Sequence, residues 1–114
     1  MRTLKLWVDD VRQPPSDDWV WARSVKDAIA CINFYEHQYW METILIDLDH
    51  DAGAFANAGG DYIKLLDWLE TQNIVDTGYF FHIHSMNPVG VQNMRAIIQH
   101  NGWREISSIA SFAN

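Results

Sequence analysis

Three apolar runs in this chain each stop at side chains that can do chemistry. Leu6-Trp7-Val8 ends in Asp9 and Asp10, and Ile44-Leu45-Ile46 runs into Asp47, Asp49, His50 and Asp51. The third, Tyr79-Phe80-Phe81-His82-Ile83, ends in His84 and Ser85. Two bare carboxylates about 5 Å apart repel by roughly 3 kcal/mol at an effective dielectric of ~20. A hard divalent cation relieves that crowding, because it prefers oxygen and accepts one or two carboxylates together with phosphate. Histidine nearby keeps manganese open beside magnesium. Taken singly, each acidic pair could simply cap a turn. Two acidic ends and a histidine end together point to a metal or phosphate site.

Other residues extend the same site. His84, at a strand exit, and His50, between acids, are the candidates for general acid and base work, since an ordinary histidine pKa of ~6.5 moves across neutrality with modest neighbours. Asp51 could orient one of them. Period two places Asp47 and Asp49 on one strand face and His82 and His84 on one face of the next, so a deeper Asp47–His82 pair is expected below an Asp49–His84 mouth. Asn87-Pro88 has the form of a helix start, whose free N–H groups and dipole attract anions. Ser85 reads as a donor to such an anion rather than a nucleophile, as no Ser-His-Asp pattern accompanies it. Arg12, close behind the acidic pair, is preferred to Arg23 as a phosphate clamp. Trp19 and Trp21 could stack a base, though packing of an edge strand is their expected use.

The elements that must position these groups are legible from periodicity. Alternation over residues 3–8 predicts a first strand, "VRQPPSDD" a loop, and residues 19–22 a short second strand. Ser24 can cap a helix carrying Val25, Ala28, Ile29 and Ile32, running to about Tyr39. Residues 43–48 predict a third strand. Tyr62, Leu65, Leu66 and Leu69 mark a second helix, and residues 79–84 a fourth strand. Val91, Met94, Ile97 and Ile98 stripe a third helix that Gly102 can end. The tail from Arg104 is either a short edge strand or a docked irregular segment. Strands alternating with helices imply an α/β domain with a mostly parallel sheet wrapped on both faces. Ligands of such sheets lie at the carboxyl ends of the strands, where the suspicious polar residues fall.

Composition narrows the classes. At 114 residues the chain is the size of one domain, read as 1–114 without an internal linker. Fifteen acids against eight lysines and arginines give a net charge of −7, which disfavours an electrostatic grip on duplex nucleic acid. No apolar run spans a bilayer, and no apolar signal region follows the N-terminus, so cytoplasmic residence without a membrane partner is expected. Cys31, the single cysteine, can make no internal disulfide and reads as a buried thiol.

"LWVDDVRQPP", "LDHDAG" and "HIHSMNPVGVQNM" together resemble the cyclic-phosphate-processing receiver-like domains, a divergent branch of the response-regulator receiver fold. The resemblance implies a flavodoxin-like three-layer sandwich with strand order 2-1-3-4, a reduced first crossover and a possible short fifth strand. It also implies that Asp9, Asp10 and Asp49 bind a divalent cation, Mg²⁺ or Mn²⁺, with Asp49 matching the phospho-accepting aspartate of ordinary receivers. The lysine of the receivers' fifth strand has no counterpart after Gly102. The implied activity is metal-assisted opening of a cyclic phosphate on a small phosphorylated ligand or an RNA terminus. His84, His50 and Asp51 would be catalytic, and Ser85, Asn87 and Arg12 would bind phosphate. The alternative is a non-catalytic receiver-like module that binds metal or phosphate, or signals.

Overall fold

The computed structural model describes residues 3–38, 43–72 and 78–112. Strand β1 (Thr3–Val8) is followed by β2 (Val20–Ala22) and helix α1 (Val25–Gln38). Then come β3 (Thr43–Leu48), a 3₁₀ turn at Gly53–Phe55, and α2 (Ile63–Thr71). Strand β4 (Tyr79–Ile83), α3 (Pro88–His100), β5 (Arg104–Glu105) and a last 3₁₀ turn at Ile109–Phe112 complete the order. The sheet runs β2-β1-β3-β4-β5 and every pairing is parallel. The expected order is therefore present with the fifth strand added. The tail is both of the forms expected of it, a two-residue edge strand followed by a short turn. Tyr39, the expected end of the first helix, lies outside the described residues.

Local chemistry explains the helix starts. Ser24 Oγ accepts the N–H of Asp27 at 3.0 Å, opening α1, and Asn87 Oδ1 accepts that of Gly90 at 3.0 Å, opening α3 behind Pro88. Tyr62, Leu65, Leu66 and Leu69 are fully buried. No helix among the described residues is long and apolar enough to cross a membrane.

The expected layering needs one correction. Buried residues of all three helices join one cluster with Leu4, Leu6, Val8, Ile44, Ile46, Leu48 and Phe81, which form one face of the sheet. The opposite face, with Trp7 and Leu45, is covered by Trp19 of the β1–β2 link and by Ile106 and Ile109 of the tail. The helices thus lie on one face, not two. Handedness is the reason. The connections β2→β3, β3→β4 and β4→β5 all advance across the sheet in one direction, so right-handed crossovers put α1, α2 and α3 on the same side. The step β1→β2 runs the other way and would carry a helix on the other side, but residues 9–19 form none. Register then sets Trp7, Asp47 and His82 side by side on the face without helices.

Candidate functional site

The strand order reverses between β1 and β3, and the crevice there opens where Asp9 and Asp49 leave the sheet. Asp9 is 1% exposed. Its Oδ1 accepts the N–H groups of Val11 (3.0 Å) and Arg12 (2.9 Å), which folds the link back over the strand end. Its Oδ2 accepts from His84 Nε2 at 2.8 Å, while His84 Nδ1 donates to Asp47 Oδ1 at 2.5 Å. Both ring nitrogens face carboxylates, an arrangement that favours the doubly protonated imidazolium form. Trp7 stacks on it, centroids 4.0 Å apart and planes within 5°, and Trp7 Nε1 donates to the Arg12 carbonyl at 2.8 Å. The indole face supports the cation above it.

Burial alone would lower the pKa of His84, but the hydrogen bonds and charges of Asp47, then Asp9, outweigh it and hold it above the usual histidine value. Burial likewise pushes Asp9 up, yet the hydrogen bonds from Arg12, His84 and Val11 hold it below the ordinary carboxylate range. Asp10 moves the other way, raised by burial and by the negative charges of Asp9 and Asp49.

The expected pairing of Asp47 with His82 alone is revised. Asp47, fully buried, accepts from His84 Nδ1 through Oδ1, while its Oδ2 lies 3.0 Å from His82 Nδ1 in poor alignment. Neither of those two atoms makes a hydrogen bond among the described residues. His84 is thus held between two acids, Asp47 and Asp9. The reason is register, which brings Asp47 within reach of the residue beyond β4 as well as of its own cross-strand neighbour.

Asp9, Asp10 and Asp49 each offer a carboxylate oxygen, all within 4.8 Å of one another. Gly53, at φ +55°, packs against Asp10 so closely that a Cβ there would collide with Asp10 Oδ2. Three hard oxygen donors, one of them with its charge disfavoured by the other two, fit a magnesium- or manganese-type cation. Asp49 Oδ1 also accepts the His50 N–H at 2.7 Å. His50 Nδ1 lies 2.9 Å from Asp51 Oδ1, and its ring rests on Gly90, where an added Cβ would be 2.5 Å from ring carbons. Its Nε2 makes no hydrogen bond among the described residues.

A cavity of about 360 Å³ lies at this crevice, lined by Arg12, Asp49, Asp51, His84, Ser85, Met86 and Asn87. The start of α3 offers fewer donors than a bare helix end. Pro88 has no N–H, Asn87 gives its own to Ser85 Oγ at 3.1 Å, and Gly90 gives its own to the Asn87 side chain. Arg23 does not reach the cavity lining. Its guanidinium covers the Trp21 and Phe55 rings, and its Nε donates to the Asp10 carbonyl at 2.9 Å. Trp19 packs edge-on to Trp7, and Trp21 Nε1 donates to the Asp9 carbonyl at 2.8 Å, so both indoles serve the fold rather than a base.

Two positions escaped the sequence reading. Asp61 joins His50 and Asp51 in a second group of metal-capable side chains and accepts the Ala52 N–H at 3.0 Å. Gly90 gives His50 its seat. A carboxylate just before a helix and a glycine in a helix's first turn were the only hints, and both are ordinary.

The family model of the cyclic-phosphate processing receiver domain matches residues 4–100. The chain belongs to that family. The matched span runs from β1 through α3 and contains every residue of the crevice. Comparison with curated proteins and with solved structures returns no match. This receiver domain has no lysine in or after β5. Beside its acids stands the His84 ring, whose Nε2 lies 2.8 Å from Asp9 Oδ2.

Proposed function

We propose that this cyclic-phosphate processing receiver domain is a divalent-cation-assisted phosphoesterase that opens a cyclic phosphate to a monoester, on a cyclic nucleotide or an RNA end. The observation that carries this reading is the meeting of three carboxylate oxygens and a His50–Asp51 pair beside one cavity with Arg12, Ser85 and Asn87 in its lining. Asp9, Asp10 and Asp49 would hold Mg²⁺ or Mn²⁺, and the cation supplies charge neutralisation to the phosphoryl oxygens. Arg12, the Ser85 hydroxyl and the Asn87 amide receive those oxygens and orient the ester. With Asp51 accepting from His50 Nδ1, Nε2 would act as the base. His50 takes a proton as the water oxygen bonds to phosphorus. The ester P–O bond breaks, and the leaving hydroxyl oxygen regains a proton from solvent while His50 returns its own. Such base assistance contributes about 10²–10⁴-fold. His84 stays charged and holds Asp9 in place.

A non-catalytic binding module is favoured by one feature: both Asp9 oxygens are already engaged by the fold. The two readings separate in one experiment. The protein is incubated with 2′,3′-cyclic nucleotides and Mg²⁺ or Mn²⁺, and ring opening is followed by ³¹P NMR, with His50→Ala in parallel. Conversion to a monoester, lost in the variant, supports the phosphoesterase. Saturable binding without any conversion supports the module.

A further inference from the structure

We infer that the cavity takes one free cyclic mononucleotide and rejects the end of a nucleic-acid strand. This rests on the phosphoesterase reading above and decides between its two substrate forms. The first argument is charge. A strand brings a further phosphate with every nucleotide, and proteins that hold strands meet them with lysine and arginine. Among the described residues that line the cavity, Arg12 is the only lysine or arginine. Lys5 is 2.8 Å from Asp18, Arg95 is paired with Glu105, and Arg23 is bound to the Asp10 carbonyl. Around the mouth stand Asp49 and Asp51, with Asp9 and Asp10 behind them, in a chain of net charge −7. A further strand phosphate would therefore meet Asp49 and Asp51 with no second lysine or arginine among the described lining residues.

Size and lining agree. About 360 Å³ is near the small end of the ~300–1,000 Å³ range of small-molecule sites. Beyond the acids the mouth turns apolar. Met86 is 88% exposed and lines the cavity, while Val11 (74%) and Val89 (67%) stand next in line to lining residues or close behind them. These are three of the four exposed large hydrophobic residues of the described chain. The flexible thioether of Met86 suits the flat face of a single base. With both nearby indoles committed to the fold, no ring stack picks out a particular base.

The test compares adenosine 2′,3′-cyclic phosphate with an adenosine trinucleotide ending in the same cyclic phosphate, in Mg²⁺, across a KCl series. Expected is a kcat/KM at least about tenfold higher for the mononucleotide at low salt. The gap should narrow as salt rises, because screening relieves repulsion between like charges. Val11→Lys, adding a cation at the rim, should narrow it further at low salt. Equal or better use of the trinucleotide, or trinucleotide turnover that falls with salt as in ordinary strand binders, overturns the inference. If neither compound turns over, the phosphoesterase reading fails by itself. Size selection is then read by NMR titration with the ring-opened products, adenosine 2′-phosphate and the 2′-phosphorylated trinucleotide. Tighter binding of the mononucleotide upholds the inference, and equal affinity, tighter trinucleotide binding or no binding by either overturns it.

Discussion

Replacing His84 by alanine tests the buried charge network at its centre. The substitution removes the ring that bonds to both Asp9 and Asp47, which are 1% and 0% exposed. Breaking a buried pair from one side costs about 3–5 kcal/mol, since the remaining charge is left without compensation. Total stability of a domain is about 5–15 kcal/mol, so the variant should fold but weakly. At about 4 °C per kcal/mol for this size, Tm falls by roughly 10–20 °C. The urea midpoint falls by about 2 M at an m-value of ~2 kcal/mol/M. Both measurements belong in EDTA, so that no cation competes for Asp9. The pH dependence supplies the sharper check. His84 has a folded pKa above its unfolded ~6.5, so its contribution is complete below pH ~6.5 and is lost as pH rises through the folded value. Asp9 is depressed, so its contribution is present above ~3.9 and is lost as pH falls through the folded value. The deficit relative to the parent should therefore be largest near pH 5–6.5 and shrink on both sides. A deficit below about 1 kcal/mol, or one that stays flat from pH 4 to 9, would refute the imidazolium bridge.

Gly90→Ala should displace the His50 ring, whose carbons lie 2.5 Å from the added Cβ; ring-opening activity should drop at least tenfold while circular dichroism stays that of the parent. Gly53→Ala combines a left-handed backbone with a collision against Asp10, so it should cost about 1–3 kcal/mol in urea unfolding and weaken Mg²⁺ binding by calorimetry. Mg²⁺ at 100 times its Kd should stabilise the parent by about 2.7 kcal/mol in denaturant melts; Asp49→Asn should lose most of that gain, and an undiminished response would move the cation elsewhere. Trp7→Phe keeps an aromatic face for His84 but removes the bond to the Arg12 carbonyl, so a loss of about 0.5–1.5 kcal/mol is expected in the same melts.

Much of the site was legible along the chain because its signals are local. An apolar run that stops in Asp9-Asp10 or in Asp49-His50-Asp51 announces a strand end that carries charge, and Asn87-Pro88 announces a helix start three residues beyond His84. The parallel sheet followed from strands alternating with helices. Directionality followed less well: the same alternation fits helices on one face or both, and only the sheet order with right-handed crossovers chooses one. Arg12 and Arg23 look alike in sequence, and the Trp21 and Phe55 rings decide which of them is taken.

The sequence by itself determined which residues stand at the carboxyl ends of the strands, since hydrophobic period and capping act over a few neighbouring positions. Only the tertiary structure decided what those residues do to one another. His84 meets Asp47 and Asp9 across 37 and 75 positions of chain, and His50 rests on Gly90 of another element. Those contacts depend on strand register and helix placement, where a shift of one residue turns every side chain to the opposite face. The clasp of His84 between Asp9 and Asp47, and the seat of His50 on Gly90, therefore appear only once the sheet is assembled.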